Sequence, residues 1–356
     1  MADQITLRQW NRTLLHRQHL LRRVDEDAIE VLDRCVGLQA QDPKAPFYGL
    51  WSRITEFRPA ELDALLTERE VVRIALLRGT VFLVDGEDAR WMRPAAQPVL
   101  DAALVTHSRR LVRARVDDIL RTAAELLTDT PVSASDLGQR LARAYPGEDT
   151  ATLVTIARCG LPLVQVPPRG LWAGRGAPTY TLLDAWIGDG SPAVTGDEAR
   201  KDLIRLYLRG FGPATVKSIQ TWCGLTRMRP LIEAMESDWE LVTLAGPDGA
   251  VLYDLEGLDI IDEDTEAPPR LIAPYDNILV AQADRRRIAD EDLYRSLQTT
   301  NGISPGFVLV DGLLAGTWGF DDARRVSVRL DVEPRRRERA ALDEEVQRLQ
   351  DFCDGS

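Results

Sequence analysis

One order of segments occurs three times along this chain, and that repetition constrains the fold more than any other feature. In the clearest copy, residues 116–127 carry apolar side chains at helical spacing and stop at Thr128-Asp129-Thr130-Pro131. Ser135 caps a second helix over 136–145, with Leu137, Leu141 and Ala144 on one face, and Pro146-Gly147 breaks it. A third short helix runs over 150–159 and is closed by Gly160. An apolar strand at 163–166, a Pro/Gly-rich tip at 167–178 and a returning strand at 180–183 complete the unit. Three helices and a β-hairpin make the winged-helix plan, a helix-turn-helix followed by a wing.

The order returns downstream. A helix over 197–209, the turn Gly210-Phe211-Gly212-Pro213, a second helix over 214–222 and a third that Thr226 caps lead into a hairpin. Its strands, 240–244 and 250–255, are joined across Pro247-Asp248-Gly249. A looser copy precedes both: helices over 27–38, 47–54 and 59–66, then strands 71–77 and 81–84 across Arg78-Gly79-Thr80. Past an acidic, Pro-containing stretch at 259–269 the pattern becomes β-rich. Strands are expected at 271–280, 306–310, 313–319 and 326–332, with Asp311-Gly312 as a hairpin turn and a helix over 334–352. The expected fold is therefore α+β. Three tandem winged-helix units occupy residues 1–112, 113–190 and 191–262, and a β-rich C-terminal region with a terminal helix occupies 263–356.

Winged helices bind DNA, and composition must be reconciled with that. With 44% hydrophobic and 28% charged residues the chain can bury real cores. Its longest apolar runs fall far short of the roughly 20 residues of a membrane span, and the N-terminal stretch is broken by Arg8, Arg12, His16 and Arg22, unlike a signal peptide. Cys35, Cys159, Cys223 and Cys353 are scattered singly, as expected for reduced thiols in a cytoplasmic, nucleoid-associated protein. His16 and His19 have no third ligand nearby, so no metal or other cofactor is expected. The net charge of −12 opposes phosphate binding unless a local basic face exists. Arg285-Arg286-Arg287 beside Tyr294, Arg324-Arg325, and Arg109-Arg110 with Arg113 and Arg115 are the clusters able to make one. Arg335–Arg337 is flanked by Glu333 and Glu338 and reads as solvated surface.

The segment Val36-Gly37-Leu38-Gln39-Ala40-Gln41-Asp42-Pro43 carries the candidate chemistry. Gly37 ends a helix and Pro43 disfavours one, so the chain between them should be extended, with Gln39 and Gln41 on one side. Each amide offers a carbonyl acceptor and two N–H donors and stays neutral at any working pH. Such a pair orients water or opposes positive charge at a sugar C1′, and it cannot act as a strong general base. That suits a leaving group already activated by N-alkylation. Helix capping is the alternative role for the same two residues.

The segment resembles the Gln-apolar-Gln signature of the AlkZ-like DNA glycosylases, a winged-helix family that includes the YcaQ type. The resemblance continues through Leu77-Arg78-Gly79-Thr80-Val81-Phe82-Leu83-Val84 with Trp91, the Gly210–Thr215 turn, Leu271–Asp276 with Asp284-Arg285, and Val310-Asp311-Gly312 with Gly316-Thr317-Trp318. It implies excision of alkylated purines, including bulky adducts and interstrand crosslinks, from double-stranded DNA. It makes Gln39 and Gln41 the catalytic pair. Arg78, Thr80, Arg285, Arg286, Arg287, Thr317, Trp318, Arg324 and Arg325 are the expected DNA contacts. The YcaQ type has Asp where this chain has Gln41, and members often have His where it has Phe82.

Two competing readings are open. Gly210–Thr215 also resembles the hairpin of helix-hairpin-helix glycosylases, but its only acidic partner, Asp238, precedes a strand rather than a helix. A winged-helix transcriptional regulator without catalysis is the other. Lys201 and Lys217 sit in ordinary helical contexts, so a monofunctional hydrolase acting as a monomer is expected, away from any membrane.

Overall fold

The computed structural model describes residues 4–299 and 302–355 of the chain. The N-terminal part contains α1 (Leu7–Arg17), α2 (Ala28–Arg34), β1 (Leu38–Gln39), α3 (Ala45–Trp51), α4 (Pro59–Thr67), β2 (Val71–Ala75), β3 (Val81–Asp85) and α5 (Gly86–Ser108). The middle contains α6 (Val116–Leu127), β4 (Val132–Ser133), α7 (Ala134–Ala144), α8 (Thr150–Gly160), β5 (Leu163–Gln165), β6 (Thr179–Leu182) and α9 (Leu183–Ile187). Then come α10 (Gly196–Phe211), α11 (Val216–Cys223), α12 (Arg229–Ser237), β7 (Leu241–Ala245) and β8 (Val251–Leu255). The chain closes with β9 (Arg270–Ile272), α13 (Asn277–Val280), α14 (Glu291–Ser296), β10 (Gly306–Val310), β11 (Leu313–Phe320), β12 (Val326–Leu330) and α15 (Arg336–Asp354). The protein mixes helices with antiparallel sheets, and the order of three helices and a hairpin recurs three times.

The first and third hairpins match residue for residue. Each pairs five residues with five, Ala75 closing on Val81 and Ala245 on Val251. The turn residues Arg78-Gly79 have φ of 54° and 72°, and Asp248-Gly249 have 57° and 75°. Both successive residues are left-handed, which matches the twist of the flanking strands. Ahead of the strands, Arg69 and Trp239 occupy the same left-handed cap, at φ 70° and 62°. The hairpin of the copy that looks loosest in sequence therefore carries the same pairing and turn as that of the third.

The chain gathers into two compact units that cut across the linear order. One comprises Met1–Glu61, Lys201–Trp222 and Arg227–Ser356; the other comprises Leu62–Arg200 and Cys223–Thr226. In the second unit the strands run β3-β2-β5-β6-β4, all antiparallel, so the hairpins of the first two copies share one sheet through Ile74 opposite Val164. Its core packs Ile119, Ala123 and Leu127 of α6 against Leu137 and Leu141 of α7 and Leu153, Ile156 and Ala157 of α8. Burial of each such Leu or Ile side chain contributes about 1.5–3 kcal/mol. In the first unit a four-stranded antiparallel sheet runs β12-β11-β10-β9, with α15 packed against β12 and β9. Helix α1, closed by a capping box between Thr6 and Gln9, is its central strut. Trp10 donates its indole N–H to Pro213 O at 2.7 Å, Asn11 donates to Gly312 O at 2.8 Å, and Arg17 pairs with Asp254 at 2.7 Å.

Four expectations change. Helix α2 stops at Arg34 rather than reaching Leu38, because Val36 and Gly37 are both left-handed. The expected strand over 271–280 ends at Ile272; Pro274 lacks an N–H, Tyr275 is left-handed, and the Asp276 side chain caps α13 by accepting from Ile278 N–H at 3.1 Å. Helices α1 and α5 are additional to the sequence reading. In α5 the prolines Pro94 and Pro98 lie inside the helix without ending it. There Arg93 donates to the carbonyls of Cys159 and Leu161 at 2.9 and 3.1 Å, which ties the helix to the end of α8. No helix among the described residues is long and apolar enough to cross a membrane.

Candidate active site

The segment after α2 is shaped by its two left-handed residues. Gly37 N–H donates back to Leu32 O at 2.9 Å and releases the chain into the extended pair Leu38–Gln39. Leu38 lies against α3, where a Cβ on Gly49 would come within 3.1 Å of its Cδ1, a tight contact that Leu38 would have to shift to relieve. The extended run stops at Ala40. A bend at Gln41 and Asp42 follows, in which Asp42 accepts from Lys44 N–H at 2.9 Å and leads into α3. Gln39 is 9% exposed and Ala40 fully buried, whereas Gln41 is exposed. The two amides therefore differ in exposure, Gln39 lying against the interior and Gln41 reaching solvent.

Beneath this segment lies a buried polar floor. Arg53, with no exposed side-chain surface, donates to Gly49 O at 2.9 Å and Gln18 Oε1 at 3.2 Å, and pairs with Asp276 at 2.9 Å. Gln18 in turn donates to Gly210 O at 2.8 Å. Burial pushes the neighbouring Cys35 thiol up to about 11, which makes it an inert packing group rather than a nucleophile. The residues Gly210–Ala214 are all buried, so this turn is core packing and offers no backbone amides to an outside phosphate.

An aromatic edge lies beside α3. The Tyr48 ring meets Trp318 edge-on at 5.3 Å and Phe320 at 6.3 Å, and Trp318 and Phe320 are 5.9 Å apart. Burial pushes the Tyr48 phenol well above its ordinary range, with the Asp42 carboxylate adding to the shift and Arg324 opposing it. Tyr48 and Trp318 are buried and Phe320 is 44% exposed. Arg324 is exposed and in no ion pair among the described residues, while Arg325 is held by Asp321 at 2.8 Å. Tyr48 thus links the segment at Asp42 to an exposed phenyl ring, Phe320, and to the cation Arg324.

Residues 32–352 match the family described as DNA glycosylase AlkZ-like. The chain belongs to this family. A curated relative, the interstrand DNA cross-link repair glycosylase of Streptomyces sahachiroi, is 24% identical over 353 residues, covering 88% of this chain and 87% of the relative. The solved structure of Streptomyces sahachiroi DNA glycosylase AlkZ superposes with a TM-score of 0.81 at 18% identity, covering 99% of this chain and 97% of that one. A family of DNA glycosylases implies hydrolysis of N-glycosyl bonds.

For a member of the AlkZ-like family, the remaining expected DNA contacts divide by burial. Two are corrected to core residues. Arg287 is 1% exposed, donates to Gln282 Oε1 at 2.9 Å and lies 4.7 Å from the Trp10 ring. Trp318 is 5% exposed and donates its indole N–H to Ile272 O at 2.8 Å. Arg285 is half-buried over the Tyr294 ring at 4.3 Å. Arg286 is exposed but already held by Asp284 and Asp248. Thr317 is half-buried in β11, opposite Arg329. In the other unit Arg78 is half-buried 5.5 Å from the Phe82 ring, and burial lowers its pKa to about 10; the Thr80 hydroxyl donates to Leu77 O at 3.1 Å. Phe82, where relatives often have His, is completely buried.

The third helix of each copy lacks the basic face a groove-reading helix needs. Helix α4 carries Glu61 and Asp63, α8 has only Arg158, and α12 has Arg229 paired with Glu233. Sequence reasoning also missed Arg53, Tyr48 and Phe320. Tyr48 and Arg53 had one available signal, their place in the short helical stretch just after Gln41.

Proposed function

We propose that this protein releases alkylated purines from double-stranded DNA, with Gln39 and Gln41 as its catalytic pair and the three helix-helix-helix-hairpin copies as winged-helix units. Substrates of the N7-alkylguanine and N3-alkyladenine type carry positive charge on the base, so the C1′–N bond breaks with departure of a neutral leaving group. The Gln39 and Gln41 carbonyl oxygens face the positive charge that develops at C1′, and an amide N–H or O holds the incoming water. The water oxygen bonds to C1′, its proton passes to solvent, and an abasic site remains. A preorganised group of this kind contributes about 10²–10³ in rate. Supporting this assignment is the burial contrast within the pair, Gln39 held in the interior and Gln41 exposed; the exposed Phe320 ring, 6.3 Å from Tyr48 of α3, suits stacking against an extruded base.

A relative named for crosslink repair supports including bulky adducts and interstrand crosslinks among the substrates. The reading is of a monofunctional enzyme acting as a monomer. Duplex DNA containing one N7-alkylguanine, incubated with the protein and then heated in alkali, should break at the lesion; without alkali it should stay intact. Strand cleavage without alkali would remove the monofunctional assignment. No release above spontaneous depurination, together with a footprint at one operator sequence, would replace the enzyme by a regulator.

A further inference from the structure

The seven residues between α5 and α6 carry Arg109, Arg110, Arg113 and Arg115, all four exposed and none in an ion pair among the described residues. In the other basic runs of this chain of net charge −12 much of the charge is spoken for: Arg286 holds two carboxylates, Arg325 holds Asp321, and Arg287 is buried. Here three nearby carboxylates, Glu148, Asp149 and Asp118, are committed to other donors. Glu148 accepts three consecutive backbone N–H groups, from Val112, Arg113 and Ala114, at 2.8, 2.7 and 2.8 Å. Asp149, which Arg110 influences through space, is taken by the N–H and hydroxyl of Thr152 at 2.8 and 2.7 Å. Asp118 pairs with Arg121 at 3.2 Å.

Glu148 also fixes the loop. Three charge-assisted hydrogen bonds to successive amides lock its backbone, and they hold the carboxyl below its usual range. Leu111 and Ala114 pack against the core of α6, α7 and α8, so the arginines project outward. Four like charges on a rigid loop repel one another, and a polyanion relieves that repulsion while releasing its own counterions. The third helices offer no such surface.

We propose that the loop at 109–115 is a backbone-contacting surface for duplex DNA, with Arg109, Arg110, Arg113 and Arg115 binding phosphodiester oxygens irrespective of sequence. This rests on the reading of the chain as an enzyme that acts on DNA, and it names a surface of the second unit that the Gln39 segment does not include. The arrangement of guanidinium groups suits phosphate, which takes bidentate donors.

The test is binding of the full chain to a short undamaged duplex across a salt series. Replacing Arg109 and Arg113 by Ala should weaken binding at least about tenfold at low salt and flatten log K against log salt by about 2, since each phosphate contact contributes about 0.9 to the slope. The matching Arg→Lys pair should restore most of the slope, and thermal melting should be the same for all three proteins. An unchanged slope and affinity in the Ala variant would overturn the proposal, as would a parental protein that binds no duplex. Loss of co-sedimentation with phosphatidylglycerol vesicles in the Ala variant, with duplex binding untouched, would overturn it too and assign the loop to lipid. Base release is read separately at saturating DNA. A protein that excises nothing yet loses duplex binding through these arginines would keep the surface and refute the glycosylase reading.

Discussion

Arg53 and Asp276 lie 223 residues apart in sequence and meet at 2.9 Å with side chains 0% and 2% exposed. The pair joins the helix after Gln41 to the cap of α13, and Gln18 adds α1 to the same network. Removing one partner from such a pair leaves an uncompensated buried charge. Asp276→Ala should therefore lower stability by about 3–5 kcal/mol, read from urea unfolding. The double replacement Arg53→Met with Asp276→Leu should recover most of that loss. Equal destabilisation in the single and double variants would show that the charges themselves are not what matters.

The two glutamines should separate by burial. Gln41→Ala, at an exposed position, should slow release of an N7-alkylpurine by about 10² or more while leaving the melting temperature unchanged. Gln39→Ala should slow release as much and also lose stability, because its side chain is 9% exposed. Gln41→Asp should retain part of the activity, since a carboxylate still orients water and favours positive charge. If both Ala variants fold and release base at the parental rate, the catalytic assignment is wrong.

Arg287 and Arg324, both expected from the sequence to contact DNA, should separate. Arg287 is buried, its pKa is lowered to about 10 by desolvation, and two of its guanidinium nitrogens have no hydrogen-bond partner. Arg287→Met should then change stability by no more than about 1 kcal/mol and leave the salt dependence of DNA binding untouched. Arg324→Ala should do the reverse, keeping the melting temperature and reducing the salt slope by about 1. A reduced slope in Arg287→Met would return that residue to the DNA interface.

His19 sets a pH dependence. Burial lowers its pKa from 6.5 to about 4, with Arg34, Arg53 and His16 pushing in the same direction; the Glu26 carboxylate lies 3.9 Å away. Between these two values the unfolded chain binds the proton that the folded chain refuses. Stability should therefore be full above the unfolded pKa and fall as pH drops through the window from 6.5 toward about 4. Melting curves between pH 7 and about 5 should show the decline, and His19→Gln should flatten it. The same decline in His19→Gln would place the proton elsewhere.

The sequence by itself determined what depends on near neighbours along the chain. Helix caps, breaking Pro-Gly pairs and period-3.6 or period-2 apolar spacing set the threefold order of helices and hairpins. Asp311-Gly312 marked a real hairpin, and Gly37 marked the end of a helix just before Gln39. Each of these is written within a few residues, because a turn or a cap is decided by local hydrogen bonds and allowed φ/ψ. Tertiary structure alone decided which side of the surface a residue occupies. Arg285-Arg286-Arg287 reads as one basic run, yet one member is exposed, one half-buried and one in the core, according to what α1 and its neighbours lay over it. Helix α5 survived two prolines because packing on α8 outweighed the lost backbone bonds, a balance that propensity cannot see. The same holds at the site itself. The extended run through Leu38 was legible in Gly37, but the different exposure of Gln39 and Gln41 was not, since it depends on the bend at Asp42 and on α3 packing against Leu38. Burial is a property of what arrives from elsewhere in the chain, and no local pattern carries it.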